Sequence, residues 1–237
     1  MIARSGTRRP TAAPSVAALY SGAVCYELWG PGDPATLRDE ERSLVAGAVE
    51  GRVSQFAAGR QCAHAALAEI DLDTGPLGRA EHRAPAWPAG VRGSIAHTDT
   101  YAVAAVARPA VDRDHRAAGL SIGLDAETTG RVTPELYPRL FTPSERERVA
   151  SSPSEALAAT VLFGLKEAFY KAQFPLTTAW VGFHDVDIEV DADPDVWLLR
   201  PATDLVALAA VLWPVRGRSL VRGDLVVTAV EVSPARS

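Results

Sequence analysis

The stretch LFGLKEAFYKA, residues 162–172, contains both lysines of the chain, Lys166 and Lys171, set around Glu167. Every other one of the 24 basic residues is arginine. An ammonium is a compact point charge that can also give up a proton, whereas a guanidinium is bulkier and stays charged. About 40 residues upstream, GLDAE (123–127) holds two carboxylates, Asp125 and Glu127, separated by one residue. On a strand both point to one face, with Cα atoms roughly 6.5–7 Å apart. Carboxylates that close repel unless a cation lies between them or one takes a proton. Mg2+ suits such a place, because it takes a few carboxylates together with water and phosphate oxygens. The bland alternatives are a solvated strand end for the two acids, and for Glu167 and Lys171 an exposed ion pair of about 0.3–0.5 kcal/mol.

Three features of the lysine segment weigh against the exposed pair. Gly164, Glu167 and Lys171 fall on one helical stripe at i, i+3 and i+7. Gly164 costs about 1 kcal/mol relative to alanine in a helix and clears space on that stripe. The flanking Leu162, Leu165, Phe169 and Phe174 describe a helix mostly buried, where charges are rare without a purpose. Packed beside strand 120–127, this helix makes Glu167 the third carboxylate of an Asp125/Glu127/Glu167 set. Lys171 then stands a turn away, facing whatever phosphate a metal holds. That constellation describes phosphoryl-type chemistry at a Mg2+-dependent phosphate site.

Elements must position these groups, and the chain is long enough to supply them. With 237 residues, 47% apolar and 22% charged, it buries one large core or two smaller ones. Its net charge of −5 excludes nucleic-acid binding through bulk charge, so any phosphate needs a local arginine cluster. Cys25 and Cys62 lack metal-ligand spacing and read as thiols of a reducing cytoplasm. The basic start is broken by Pro10 and Pro14, so residues 1–15 read as a flexible tail and not a signal peptide. No run approaches transmembrane length, and the expected location is cytoplasmic.

After the tail, AALYSGAVCYELWG reads as a strand ended by glycines and prolines at 30–34. Residues 37–70 turn helical, with Gly47, Gly51 and Gly59 marking two helices or one bent one. A loop over 71–92 leads to GSIAHTDTYAVAAVARP, a hairpin around Thr98–Thr100. The polar segment VDRDHRAAG, 111–119, is the candidate boundary between an N-terminal half, 16–113, and a C-terminal half, 114–237. In the second half LSIGLDAE alternates as a strand. Thr142-Pro-Ser-Glu145 and Ser152-Pro-Ser-Glu155 each predict an N-cap, an N1 proline and an N3 glutamate. The second helix is expected to end near Gln173, before Pro175. Strands are expected near 183–190, 195–200, 206–213 and 224–232. The fold class is α+β, with a long helix and several strands in each half.

GLDAE (123–127) and FGLKEAFYK (163–171), in this order and spacing, resemble the two signatures of the Sfp-type 4′-phosphopantetheinyl transferases, in particular the siderophore and polyketide branch. GRVSQFAAGRQCAHAAL (51–67), PAWPAGVRGSIAHT (85–98), FPLTTAWVGFHDV (174–186) and RGRSLVRGDLVVTAV (216–230) are similar to further family segments, so the likeness covers nearly everything beyond residue 20. It implies two similar α+β halves in pseudo-twofold arrangement with coenzyme A bound between them. It implies transfer of phosphopantetheine from coenzyme A to a serine of an apo acyl or peptidyl carrier protein, with release of 3′,5′-ADP. The carriers would belong to polyketide, nonribosomal peptide or fatty-acid synthases, and the enzyme would act as a monomer.

Carried over residue by residue, the resemblance implies Asp125, Glu127 and Glu167 as ligands of Mg2+, or of Mn2+ in its place. It implies Glu167 as base for the carrier serine, directly or through water, and Lys171 as the group that stabilises the pyrophosphate and its leaving group. Lys166 matches the first lysine of the motif and is expected to contact phosphate. Arg52, Arg60, Arg79 and His97 are implied as holders of the coenzyme A 3′-phosphate. Arg52 and Arg60 are eight residues apart, about two helical turns, and can reach one side. Arg79 and His97 rest on the resemblance alone. Ala96 stands where the family usually has a hydroxyl, which removes one contact to phosphate, and His82 falls where some relatives carry a basic or polar residue. Two other functions fit the acids and lysines: a Mg2+-dependent nucleotide phosphohydrolase, for which no water-positioning motif is present, and a non-catalytic module binding coenzyme A or a carrier, which the intact acids disfavour.

Overall fold

The computed structural model describes residues 9–72, 75–80, 84–108, 120–193 and 195–235. His82 and the candidate boundary at 111–119 lie outside the described residues. Two antiparallel sheets carry the chain. The first takes β1 (Thr11–Ala12), β2 (Val24–Trp29), β3 (Arg92–His97) and β4 (Tyr101–Ala107) in the order β1-β2-β4-β3. The second takes β5 (Ser121–Thr128), β6 (Val186–Val190), β7 (Val196–Pro201), β8 (Val215–Arg222) and β9 (Leu225–Val232) in the order β5-β9-β8-β7-β6. The helices are α1 (Pro14–Ala17), α2 (Asp39–Ser43), α3 (Glu50–Glu69), α4 (Tyr137–Leu140), α5 (Pro143–Ala150) and α6 (Glu155–Thr177).

The two sheets lie face to face, with one long helix outside each. Tyr101, Val103 and Ala105 of β4 meet Leu124 and Ala126 of β5 and Val227 and Ala229 of β9 in the middle layer. The other face of β4, Ala102, Ala104 and Val106, packs against Ala58, Cys62 and Leu67 of α3. Likewise Val226 and Val230 of β9 face Leu162, Leu165 and Phe169 of α6. A strand covered on both sides needs apolar residues at every position, which is why YAVAAVA is unbroken. β5 keeps the expected period of two: Ile122, Leu124 and Ala126 point into the middle layer, leaving Gly123, Asp125 and Glu127 for α6.

Both halves repeat one topology. In each, a strand, a short helix and a long helix precede a hairpin whose second strand pairs with the first strand of the half. This holds for β2-α2-α3-β3-β4 and for β5-α5-α6-β8-β9, with β6 and β7 as an addition to the second. The halves are tied by the Ser94 hydroxyl, which accepts from Leu124 N at 3.0 Å, and by the Tyr20 hydroxyl, which donates to Gly123 O at 2.8 Å. Cys25 and Cys62 are both buried free thiols.

Four expectations need correction. Residues 11–17, of which 11–15 were expected in a flexible tail, form an edge strand on β2 and a helical turn, because Ala13 and Val16 bury completely against the middle layer. The helix after Ser152 begins at Glu155 with Ser154 as N-cap, since the Ser152 hydroxyl is spent on Ser154. That helix also runs through Pro175 to a left-handed cap at Thr178. Residues 206–210 form a 3-10 turn where a strand was expected, and the strand comes after Pro214, at 215–222. Proline cannot donate to a ladder, so a strand across it is disfavoured. The capping box at Thr142–Glu145 and the break between α2 and α3 stand as expected.

Candidate active site

Helix α6 lies directly on β5, and glycine permits the approach. A Cβ on Gly123 would stand 1.8 Å from the Ala168 carbonyl oxygen, and one on Gly164 would stand 2.9 Å from Thr228 Oγ1. The space at Gly164 therefore serves helix–sheet contact and not a ligand. The result is that Lys171 Nζ reaches β5, donating to Asp125 Oδ1 at 2.6 Å and to the Leu124 carbonyl at 3.0 Å. Asp125 is buried, and its second oxygen, Oδ2, has no hydrogen-bond partner.

Glu127 and Glu167 share this corner. Burial and the neighbouring Asp125 charge push Glu127 up to about 7, against the pull of Arg131 and Lys171. Burial and Asp125 likewise raise Glu167, with Lys171 opposing. Lys171 and Arg131, the latter also paired with Asp99, do not neutralise three carboxylates, so the corner is under-compensated and takes a further cation or a proton. The donor set fits a hard cation in kind: carboxylate oxygens, one of them buried and unpartnered. As the side chains lie, no three His, Cys, Asp or Glu among the described residues close into a metal-holding group, and Lys171 holds the inner oxygen of Asp125.

Lys166 is elsewhere. It points away from the corner into the C-terminal half, where its side chain is 3% exposed. Its ammonium donates to the carbonyls of Phe183 and of Val186, the latter at 2.6 Å, and pairs with Glu145 Oε2 at 2.9 Å. Three donors meet three acceptors, and nothing is left for a phosphate. Burial pushes the Lys166 ammonium down and the Glu145 carboxyl up, toward the neutral forms, and their mutual attraction opposes both. The expectation of a phosphate contact at Lys166 is corrected: adjacent helix positions face different sides, and Glu167 took the open one.

In the N-terminal half, Arg52, Arg60, Arg79 and His97 line one cavity of about 400 Å³, with Phe56 and Pro85 among its walls. Arg52 Nη1 lies 2.8 Å from His97 Nε2. Arginine can only donate, so this ring nitrogen accepts and the imidazole is neutral. Burial, Arg52 and Lys171 all hold His97 below its ordinary value. The Arg60 guanidinium stands 4.5 Å over the Phe56 ring. The positions expected from the sequence thus converge, from α3, from β3 and from the loop before it.

Three more cavities meet the acid corner. Between the halves, Gln55, His97 and Asp99 face Glu127, Arg131 and Glu167 across a cleft of about 470 Å³, bridged by Arg131 and Asp99 at 3.4 Å. Beside it a small, mostly apolar pocket of about 150 Å³ is lined by Lys166, Glu167, Tyr170, Trp180, Val181 and Phe183, with the Lys166 ammonium itself turned to Glu145 and the two carbonyls. A groove of about 720 Å³ runs from Pro85 and Ile95, which also wall the arginine cavity, to Lys171, Glu167 and Tyr170. Among the described residues, Glu167 alone lines the cleft, the apolar pocket and the groove.

Sequence reasoning missed Glu145, Asp99, Arg131, Glu41 and His64. Glu145 had a signal, as N3 of a capping box, but nothing in the letters tied it to Lys166. Asp99, Arg131 and Glu41 sit in polar stretches where only the fold selects one charge from its neighbours, and His64 is a single histidine in an apolar stretch of α3 with nothing in the letters to tie it to Glu41. No helix among the described residues is long and apolar enough to cross a membrane.

Comparison with known proteins adds independent findings. The family model of the 4′-phosphopantetheinyl transferase N-terminal domain matches residues 40–107, and that of the 4′-phosphopantetheinyl transferase superfamily matches residues 121–221. The chain is 38% identical over 175 residues to 4′-phosphopantetheinyl transferase Npt of Nocardia iowensis, a match covering 74% of this chain and 76% of that one. It is 36% identical over 210 residues to Svp of Streptomyces mobaraensis, covering 86% and 82% respectively. With PptT of Mycobacterium tuberculosis it shares 31% over 220 residues, covering 90% and 94%.

Proposed function

The chain belongs to the 4′-phosphopantetheinyl transferase superfamily, and from that premise we propose how its own residues divide the transfer. The reaction moves the 4′-phosphopantetheine of coenzyme A to a serine of an apo carrier protein. Coenzyme A offers three parts to be held: a 3′-phosphate on the nucleotide, a pyrophosphate, and a long arm with little charge. The arginine cavity suits the first, the groove ending at Lys171 suits the second, and the apolar pocket at Tyr170 and Trp180 suits the third. The cleft between the halves then remains for the carrier serine.

The observation that carries this reading is the position of Glu167, which borders the groove, the pocket and the cleft together. A group at that junction stands where the nucleophile must meet the pyrophosphate. Its carboxylate, at the meeting point of the groove and the cleft, is placed to accept the proton of the incoming serine. The serine oxygen forms a bond to the phosphorus that bears the pantetheine arm. Its proton passes to Glu167, directly or through water, and the bond from that phosphorus to the bridging oxygen breaks. The departing oxygen leaves on 3′,5′-ADP, and Lys171 neutralises the charge that builds there. Asp125, Glu127 and Glu167 would hold Mg2+, which when bound gathers phosphate oxygens and offsets their charge. The net charge of −5 leaves carrier docking to local patches. We read the enzyme as a cytoplasmic monomer.

The test is direct. Purified protein, coenzyme A and Mg2+ are incubated with a panel of apo carrier proteins, and carrier mass is followed by intact mass spectrometry. The expected result is the gain of one phosphopantetheine, abolished by EDTA and restored by Mg2+. Transfer that persists in EDTA would overturn the metal assignment. Coenzyme A hydrolysis without any carrier gain would favour a phosphohydrolase.

A further inference from the structure

Glu41 takes no part in the site as described, yet it is a carboxylate with no exposure at all. Burying a charge so completely costs several kcal/mol unless every oxygen is satisfied. Its Oε1 accepts from His64 Nε2 at 2.7 Å and from Leu77 N at 2.9 Å, and Oε2 accepts from Arg38 N at 3.1 Å. Arg60 Nε, which is buried without a hydrogen bond, faces Oε1 at 3.8 Å. Burial alone would raise this carboxyl, but the His64 and backbone hydrogen bonds overcome it and hold the group at about 2.

The C-terminal half contains the same device in a closed form. Glu145, like Glu41, is the third residue of the short helix, and it accepts from the N-cap N–H, here Thr142 at 2.9 Å. It too accepts from a backbone N–H beyond the long helix, Ile188 at 3.0 Å, and it too faces a basic residue on that helix. There the partner, Lys166, spends its remaining donors on carbonyls. In the N-terminal half the partner is Arg60, which lines the arginine cavity together with Arg79. Leu77, the other group that Glu41 holds, lies two residues before Arg79, whose own backbone is bridged to Pro85.

We propose that Glu41, braced by His64, is a positioning residue that aims Arg60 and the Arg79 loop at the 3′-phosphate of coenzyme A, and so sets the preference for coenzyme A over 3′-dephospho-coenzyme A. This rests on the reading of the arginine cavity as the 3′-phosphate site. Glu41 touches no substrate and acts through the two arginines. A purely structural glutamate would affect both substrates alike, whereas a positioning one affects only the substrate that carries the 3′-phosphate.

The experiment measures KM and kcat for coenzyme A and for 3′-dephospho-coenzyme A, with one apo carrier protein, in wild type, Glu41→Gln, Arg60→Ala and the double variant. Glu41→Gln is expected to raise KM for coenzyme A roughly tenfold, the scale of one weakened charge-assisted hydrogen bond. Its kcat, and its KM for the dephospho substrate, should stay within about twofold, on a scale where tenfold is 1.4 kcal/mol. The double variant should lose less than the product of the two single losses, because part of the Glu41 effect runs through Arg60. If Glu41→Gln does not fold, His64→Leu, which keeps the carboxylate and removes its shortest bond, is expected to show the same selectivity at smaller size. Wild-type indifference to the 3′-phosphate would overturn the reading of the cavity. Wild-type discrimination retained in full by the folded variants, or losses in the double variant that simply multiply, would overturn the role of Glu41 and leave the cavity reading standing.

Discussion

Replacing Lys166 by methionine keeps most of the length of the side chain and removes the ammonium that joins Glu145 to the carbonyls of Phe183 and Val186. Glu145 is then a buried carboxylate with its two backbone donors, Thr142 N and Ile188 N, and no cation. Breaking a buried pair from one side costs about 3–5 kcal/mol. For a chain of this size each kcal/mol moves the melting temperature by about 2–4 °C, so the midpoint should fall by on the order of 10 °C. KM for coenzyme A, measured well below both midpoints, should not change by more than about twofold, because all three donors of the Lys166 ammonium are spent within the protein. Lys166→Arg should fail in the same direction. A planar guanidinium is larger, and it cannot point three donors at three carbonyl and carboxylate oxygens arranged for an ammonium. A roughly tenfold rise in KM with an unchanged midpoint would refute this reasoning and return Lys166 to the phosphate site.

Two further outcomes follow from the acid corner. Glu167→Ala should leave coenzyme A binding measurable by calorimetry while lowering kcat by about a thousandfold or more, the combined scale of a lost base and a lost charge at the reacting centre; turnover near wild type would remove Glu167 from the chemistry. Lys171→Arg keeps the charge but does not fit the 2.6 Å approach to Asp125, and kcat should drop on the order of a hundredfold. A wild-type rate in that variant would mean that any cation serves there.

The site was legible where chemistry and periodicity coincide. GLDAE could be read because alternation puts Asp125 and Glu127 on one face of β5, and the helix stripe could be read because Glu167 and Lys171 share a side that packs on that strand. Lys166 was misplaced for the complementary reason: a motif records that a lysine is needed, but not which side of the helix it leaves from. Its neighbour in sequence faces the acid corner, whereas its own environment is set by Glu145, 21 positions away and itself visible only as a helix cap. Pro175 shows how tertiary contact overrides a local rule. The preference against helix before proline is soft, and the tilted contact of Tyr170 with Phe174 and its edge contact with Trp180 pack the end of α6 past it. Periodicity missed the strand at 215–222 because Arg216, Arg218, Ser219 and Arg222 dilute the apolar signal of Val215, Leu220 and Val221.

The duplicated glutamate connects these observations. A short helix cannot by itself fix the direction of the long helix that follows, because its own hydrogen bonds end within one turn. A buried carboxylate at N3 does so by binding three things at once: the start of the short helix, a basic side chain on the long one, and the backbone that returns after it. Once such a clamp exists in both halves, they need not use it alike. In the second half the clamp is saturated and contributes rigidity beneath the catalytic helix. In the first, Arg60 retains an unsatisfied donor beside a cavity walled by cations. A fold built from two copies of one arrangement can thus reserve one copy for stability and leave the other open, with the difference lying in the basic residues each glutamate meets: Lys166, surrounded by three oxygens, in one half, and His64 with the cavity-lining Arg60 in the other.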